Sequence, residues 1–381
     1  MQRRVSLIML LALALFLTGC TVATGPQSAA TLPPAVSSAP VATQPGTTSG
    51  SPAPDKIPVT WSALHLTGKL IFVVSASDSN ANLVMDVQQL DLGTGGIKTI
   101  FQTPPDGYIE SAVVSPDNKT LVMSYAPPAS QPGATFTPLA LFSMPADGSQ
   151  APQQLFPVPL TGDQDIEPVW SPDGKYIYYV LVNNAVPPAE PNQHYPIDQI
   201  YRAAYPGGQP EKILEKAYWP RLSADGSQLI YVSENPDDGT NQLFVANSDA
   251  IHPHQIALSG VNAPTIIDAP IFLPDGKTIL FSAPTPVQPA ASRWLDRLLG
   301  VIDVSAHNIP SEWWSVPVGG GAVTQLTHIQ AASLYASISP DKRTIASFSG
   351  DGVFVMNPDG SELTMMVTGT GGNLGTVNWI P

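Results

Sequence analysis

The chain has 381 residues and is acidic, with 16 lysines and arginines against 30 aspartates and glutamates and a formal net charge of −14. Nucleic-acid binding depends on basic side chains that neutralise phosphates, so this charge argues against a nucleic-acid partner. Cys20 is the only cysteine, which excludes a disulfide within the chain and a metal site built from several thiolates. The folded part is therefore expected to depend on its hydrophobic core.

The first 20 residues have the order of a bacterial export signal. Arg3 and Arg4 precede an apolar run over residues 5–17 that is too short for a membrane-spanning helix, which needs about 20 residues. The run ends in LTGC at positions 17–20, which resembles the lipobox of bacterial lipoproteins. The resemblance implies cleavage before Cys20, acylation of Cys20 and attachment to a membrane on its extracytoplasmic side. An ordinary secretory signal with a chance cysteine is the alternative.

The next segment is rich in Ser, Thr, Ala, Pro and Gly, and no charged residue occurs between Arg4 and Asp55. Such a composition buries too little apolar surface to offset the entropy of folding. We therefore predict a signal peptide over residues 1–19, a lipidated Cys20 with a disordered tether over residues 20–60, and a folded domain over residues 61–381.

A ten-residue phrase recurs in the folded part. The copies are SPDNKTLVMS from Ser115, SPDGKYIYYV from Ser171, SADGSQLIYV from Ser223, LPDGKTILFS from Leu273 and SPDKRTIASF from Ser339. Pro, Asp and Gly favour a tight turn, and each copy lies between two strand-like runs. Each phrase therefore predicts a hairpin, and two further short strands follow it in each unit.

Four-stranded antiparallel units of about 50 residues are typical of β-propeller blades. The five phrases predict five blades, in which each turn joins the innermost strand to its neighbour. Residues 69–75 look like a second strand without a phrase before it, and residues 376–381 look like a first strand with nothing behind it. Joining the two predicts a sixth blade, so the fold class is an all-β, six-bladed propeller closed by its N- and C-terminal strands.

The SPDG phrase, with an aromatic such as Trp170 before it and an apolar strand after it, resembles the PD40 or WD40-like repeat of TolB-type propellers over about residues 62–381. TolB proteins carry an additional N-terminal α/β domain for which the tether leaves no room, so the partners of the Tol system are not carried over. Prolyl oligopeptidase-type hydrolases have similar blades, but the sequence lacks the Gly-x-Ser-x-Gly motif of their nucleophile.

Polar and aromatic residues near the innermost strands are the candidates for ligand binding, in the loops that lead into the central channel. They are Glu110, Glu167, Tyr218, Trp219, Asp268 and Tyr335. Carboxylates beside aromatic rings suit a cationic peptide or a sugar. The alternative is that these residues only pack the blades.

No cofactor and no metal site are expected. His252-Pro253-His254 is a poor zinc pattern, and residues 235–241 offer calcium-like oxygens without the order of an EF-hand loop. Both segments are explained by solvated turns, and Ca²⁺ remains a weak alternative.

An insert over residues 285–314 lengthens the fifth repeat and predicts a short helix. Apolar residues recur at helical spacing at Trp294, Leu295, Leu298, Leu299 and Ile302, with Trp313 and Trp314 nearby. The helix either packs on its own blade or contacts a partner or the membrane.

These observations favour a monomeric, non-catalytic binding or scaffold module that is held at a membrane by lipid and binds a protein, peptide or glycan. The alternative is a propeller enzyme, similar to lactonases or polysaccharide lyases, with Glu110, Glu167 and Asp268 at the channel mouth. A third hypothesis is a scaffold that acts through the inserted helix.

Overall fold

The computed structural model describes residues 59–129, 137–157, 163–183, 197–235, 240–260, 262–284, 309–368 and 376–381. The predicted signal peptide, the lipidation site at Cys20, nearly all of the tether and the predicted helix of the fifth repeat lie outside these ranges. Those assignments therefore stay predictions. No helix in the described ranges is long and apolar enough to cross a bilayer.

The described residues form six four-stranded antiparallel sheets, arranged in a ring as the blades of a propeller. Blade 1 combines β1 (Lys69–Ser77), β2 (Leu83–Asp91) and β3 (Ile97–Gln102) with β26 (Asn378–Ile380). Blade 2 contains β4 (Tyr108–Val114), β5 (Thr120–Ala126), β6 (Ala140–Pro145) and β7 (Gln153–Gln154). Blade 3 contains β8 (Gln164–Trp170), β9 (Tyr176–Asn183), β10 (Ile197–Ala204) and β11 (Glu211–Glu215).

The other three blades have the same order of strands. Blade 4 contains β12 (Ala217–Leu222), β13 (Gln228–Glu234), β14 (Asn241–Asn247) and β15 (His254–Ile256). Blade 5 contains β17 (Asp268–Phe272), β18 (Thr278–Pro284), β19 (Ser311–Pro317) and β21 (Thr324–Gln325). Blade 6 contains β22 (Tyr335–Ile338), β23 (Ile345–Ser349), β24 (Gly352–Met356) and β25 (Thr364–Thr368). A short 3-10 helix (Ser62–Leu64) precedes blade 1, and β16 (Leu258–Ser259) pairs in parallel with β20 (Gly321–Ala322).

Blade 1 closes the ring with strands from distant parts of the chain, as predicted. Strand β26 pairs antiparallel with β1, so that Leu70 faces Trp379 in the register. The Trp379 indole donates a hydrogen bond to the carbonyl of Thr67 at 2.9 Å. The Asn378 side-chain amide donates to the carbonyl of Ala112 in blade 2 at 2.7 Å, which fastens the closing strand to the next blade.

The repeated phrase forms the turn between the first and second strands of its blade, as predicted. In blade 3, the Ser171 hydroxyl donates to Asp173 Oδ1 at 2.7 Å and accepts a hydrogen bond from the amide of Tyr176 at 2.9 Å. Gly174 has φ +71, a left-handed conformation that glycine adopts without a steric penalty. The serine and aspartate of the copies from Ser115, Ser223 and Ser339 make the same side-chain bond.

The hydrophobic core consists of six clusters, and each cluster lies between two neighbouring blades. Phe72 of blade 1 stacks on Phe348 of blade 6 with 5.3 Å between the ring centres. Trp313 and Trp314 lie in β19 and are buried, with exposed fractions of 0% and 3%. The expectation that they accompany a surface helix is wrong, because β19 is a central strand of its blade. Burying a large apolar side chain contributes about 1.5–3 kcal/mol, so these interfaces hold the ring together.

Candidate functional site in the central channel

Four innermost strands are interrupted by bulges, and these bulges build the site. The register shifts occur between Ile109 and Ser111, Ile166 and Val169, Tyr218 and Arg221, and Asp268 and Ile271. In three of them the residue before a proline has positive φ: Glu167 (+52), Trp219 (+56) and Ala269 (+45). Proline has no N–H for the ladder, so the strand bends there and redirects the side chain before it.

The six predicted site residues lie on innermost strands of five different blades. Glu110 belongs to β4, Glu167 to β8, Tyr218 and Trp219 to β12, Asp268 to β17 and Tyr335 to β22. Their expected position in loops before the strands is wrong, because the bulges occur within the strands themselves. Glu110 and Tyr218 are half-buried, whereas the other four side chains are buried.

Hydrogen bonds connect four of these residues from blade to blade, and a ring contact adds the fifth. Glu110 Oε2 accepts from the amide of Glu167 at 3.4 Å, and Glu167 Oε2 accepts from the amide of Trp219 at 3.0 Å. The Trp219 indole donates to Asp268 Oδ1 at 3.2 Å, and its ring lies 5.6 Å from the ring of Tyr335. Glu110 and Glu167 thus each accept from a backbone amide at the bulge of the next blade, whereas Asp268 accepts from an indole. Glu167 therefore has a structural role in addition to any role in binding.

Tyr218 is held by a second connection between blades 4 and 5. The side-chain amide of Asn241 donates to the Tyr218 hydroxyl, and Asn241 Oδ1 accepts from the amide of Ile267 at 2.9 Å. The tyrosine ring is therefore fixed in orientation beside the channel.

Three carboxyl groups of blade 3 are protonated more readily than ordinary carboxylates. Burial, together with the nearby charge of Glu110, raises the pKa of Glu167 well above its usual value. Burial and the charge of Asp163 raise the pKa of Asp165 to about 7. Burial and the charge of Glu234 raise the pKa of Asp198 to about 6. Asp165 and Asp198 were not predicted as site residues, although Asp165 lies two positions before Glu167, the spacing of side chains on one face of a strand.

Arg221 is a third residue that the sequence did not single out. It is the only basic residue in the six innermost strands. Its NH1 group donates to the carbonyl of Pro220 at 2.7 Å, and its guanidinium carbon lies 5.6 Å from the centre of the Trp219 ring. A basic residue in a strand that is otherwise apolar and aromatic was the available signal.

A cavity of about 370 Å³ occupies the channel between the bulges and the repeated turns. All six blades contribute to its wall, which includes Val113, Trp170, Arg221, Phe272, Ile338 and Asn378. The channel therefore has an acidic, aromatic part at the bulges and a largely apolar part nearer the turns.

The predictions for metal ions can be compared with the described residues only. Within those ranges, no three His, Cys, Asp or Glu side chains are grouped so that they could hold a metal ion. His252 and His254 are both exposed, in and after the connection between β14 and β15. Part of the calcium-like segment, residues 236–239, lies outside the described ranges.

Comparison with solved structures supports the same class of fold. The chain resembles TolB from Acinetobacter baumannii with a TM-score of 0.55 at 16% identity, over 82% of this chain and 67% of that one. It resembles the TolB structure from Agrobacterium tumefaciens with a TM-score of 0.50 at 18% identity, over 83% and 99% of the two chains. A chain of a nidogen/laminin complex gives a TM-score of 0.53 at 9% identity, over 81% and 97%.

No family model and no curated protein sequence matches this chain. The structural likeness nevertheless identifies the class: the domain is a TolB-like, six-bladed β-propeller. At these levels of identity the likeness concerns the fold alone. Function therefore has to be argued from the channel.

Proposed function

We propose that this protein is a lipid-anchored propeller on the extracytoplasmic side of a membrane, where it acts as a non-catalytic binding or scaffold module. The observation that carries the binding role is the convergence of polar and aromatic side chains from five blades on one channel. The lipid anchor rests on the order of basic residues, apolar run and LTGC motif in residues 1–20.

The ligand class follows from charge and exposure. Glu110 and Tyr218 are half-buried and are the members of the cluster that a ligand reaches first. Asp163, Asp165 and Glu167 add buried carboxyl groups just before and within β8. A carboxylate beside a fixed aromatic ring suits a cationic peptide or a sugar, since the ring supplies a face and the acid a polar anchor.

Binding is tested with the full-length protein in detergent, against an array of cationic peptides and neutral glycans. Glu110→Gln keeps an acceptor for the amide of Glu167 but removes the charge, so we expect at least tenfold weaker binding of a cationic ligand. Asp117→Asn is the matched control, because it removes one charge in the turn at the other end of β4. Equal affinity of the two variants and the unmodified protein would remove the channel from the proposal.

An enzyme remains the second candidate because Glu167 and Asp165 have raised pKa values beside other carboxyl groups, a property of general acids. The two functions differ in what happens to the ligand. Incubation of any bound glycan or peptide with the protein, followed by mass spectrometry, distinguishes them. If the ligand is recovered intact after an incubation long enough for a slow enzyme to turn over many times, the result supports binding. If product forms in molar excess over the protein, the result supports catalysis.

The lipid anchor has its own test. Growth with an alkyne-labelled fatty acid is expected to label the unmodified protein and to leave Cys20→Ser unlabelled and largely released from membranes. Two or more acyl chains give stable membrane anchoring, whereas a protein without acyl chains lacks this anchor. The difference in the membrane-bound fraction should therefore be large. Full membrane retention of Cys20→Ser would show that another feature holds the protein.

A further inference from the structure

We propose that the cavity between the bulges and the repeated turns binds a small organic carboxylate, whose anionic group contacts the Arg221 guanidinium and whose apolar body contacts the channel wall. This site goes beyond the proposed function, because it lies nearer the turns and takes a ligand of the opposite charge.

Within the described ranges, Arg221 uses only part of its hydrogen-bonding capacity. A guanidinium offers five N–H donors, and the bonds found here use NH1 for the carbonyl of Pro220 at 2.7 Å. None of the ion pairs between described residues includes Arg221. The guanidinium lies over the Trp219 ring, which restricts its orientation, and Arg221 lines the cavity. Its other donors are therefore positioned to meet a ligand.

The charges around Arg221 leave room for an anion. Glu167 and Glu110 are the acidic groups that act on it. Glu167 is buried, and burial together with the charge of Glu110 raises its pKa well above the usual value, so its charged form is disfavoured. Glu110 already accepts a hydrogen bond from the amide of Glu167. An enclosed cation without a direct ion pair is costly, and a ligand carboxylate would supply the missing partner.

The rest of the wall requires an apolar ligand. The Ser337 hydroxyl accepts a hydrogen bond from the amide of Trp379 at 3.0 Å, and Asn378 donates to the carbonyl of Ala112. These polar groups are used within the protein, while Val113, Phe272 and Ile338 present apolar surface. The volume of about 370 Å³ lies at the lower end of small-molecule sites, which span about 300–1,000 Å³. A compact acid fits this space, and a folded partner does not.

The test is isothermal titration of the full-length protein with 4-phenylbutyrate and with its amide, 4-phenylbutyramide, at pH 7. We expect saturable binding of the acid and at least tenfold weaker binding of the amide. Acetyl-Phe-Leu with a free or an amidated C-terminus forms a second arm, which separates a peptide terminus from a free acid as the source of the carboxylate. Binding of either acid supports the site, and no saturable binding of both acids overturns it.

Two variants connect the binding to Arg221. Arg221→Gln is expected to weaken the acid at least tenfold, whereas Arg202→Gln, which breaks the exposed ion pair with Glu211, should change nothing. If Arg221→Gln does not fold, Ala224→Phe provides the second test, because Ala224 is exposed in a turn and lines the cavity. Unchanged affinity in Arg221→Gln, or in Ala224→Phe, contradicts the proposal. Since the two proposed ligands have opposite charges, failure of this site leaves the binding of a cationic ligand untouched.

Discussion

Acidic residues occur both in the turns that follow the innermost strands and in the channel. The two surroundings shift the pKa of a carboxyl group in opposite directions. In the turns, Asp173 and Asp225 are exposed, and hydrogen bonds from Ser171 and Ser223 are the largest cause that lowers their pKa to about 2. In the channel, burial is the largest cause that raises the pKa of Asp165 to about 7 and that of Glu167 well above its usual value. Turn carboxylates therefore favour folding as anions, whereas channel carboxylates oppose it.

The difference distinguishes the turn carboxylates, which stabilise the repeats, from the carboxylates of the channel that the repeats enclose. The turn aspartates recur in every copy of the phrase and are explained completely by local hydrogen bonds. The channel carboxylates differ from blade to blade, and they hold the ring at a cost in electrostatic energy. Carboxyl groups that are buried at an electrostatic cost are typical of functional sites, although structural connections between blades also require them.

The largest effect is expected from Asp165→Asn, which removes a buried charge in the channel. The folded-state pKa of about 7 exceeds the ordinary value of 3.8, so the folded protein binds more protons and loses stability as pH rises from about 4 to 7. The variant should gain about 2–4 kcal/mol in free energy of unfolding above pH 7 and nothing at pH 4. Urea unfolding at several pH values measures this gain.

Asp173→Asn serves as the comparison from the turns. Its lowered pKa contributes stability that is present above the ordinary value of 3.8 and is lost as pH falls towards 2, so the variant should show a constant loss above about pH 4 that disappears as pH falls towards 2. A gain in Asp165→Asn that is independent of pH would show that burial of the charge is not the cause.

The next effect concerns the connection between blades 3 and 4. Glu167→Ala leaves the buried amide of Trp219 without its acceptor, and we expect a loss of about 2 kcal/mol in the free energy of unfolding. Glu167→Gln keeps an acceptor and removes only the charge that burial disfavours, so it should stay close to the unmodified protein. An equal loss in both variants, measured by urea unfolding, would contradict the role of Glu167 as the acceptor for the amide of Trp219.

The smallest effect is expected in a turn. Ser171→Ala removes the acceptor for the amide of Tyr176 and the donor to Asp173, which should cost about 1 kcal/mol. The same change at Ser115 should cost a similar amount, since its bonds to Asp117 and to the amide of Thr120 are equivalent. Additive losses in the double variant would show that the turns act independently; a much larger combined loss would show that they do not.

The fold could be predicted from the sequence because its signals are local and repeated. Each turn carries Asp together with Pro, Gly or both, and the unpaired runs at residues 69–75 and 376–381 indicate closure of the ring. Trp313 and Trp314 were misplaced because the long insert in the sequence before them obscured the third strand of blade 5. The channel was only partly predictable, since the bond from Trp219 to Asp268 joins residues 49 positions apart. Arg221 acquires its meaning only from a cavity to which all six blades contribute.

Because the closing strand comes from the C-terminal end of the sequence, blade 1 can be completed only after the rest of the chain has been made. The Trp379 indole donates a hydrogen bond to the carbonyl of Thr67 across a separation of 312 residues, and β26 contributes the innermost strand of a blade whose other strands come from the opposite end of the chain. During synthesis, blade 1 cannot be completed until β26 is made, after the strands of the five other blades. Until then β1 presents an unpaired edge, which is where a chaperone or an aggregating neighbour would act.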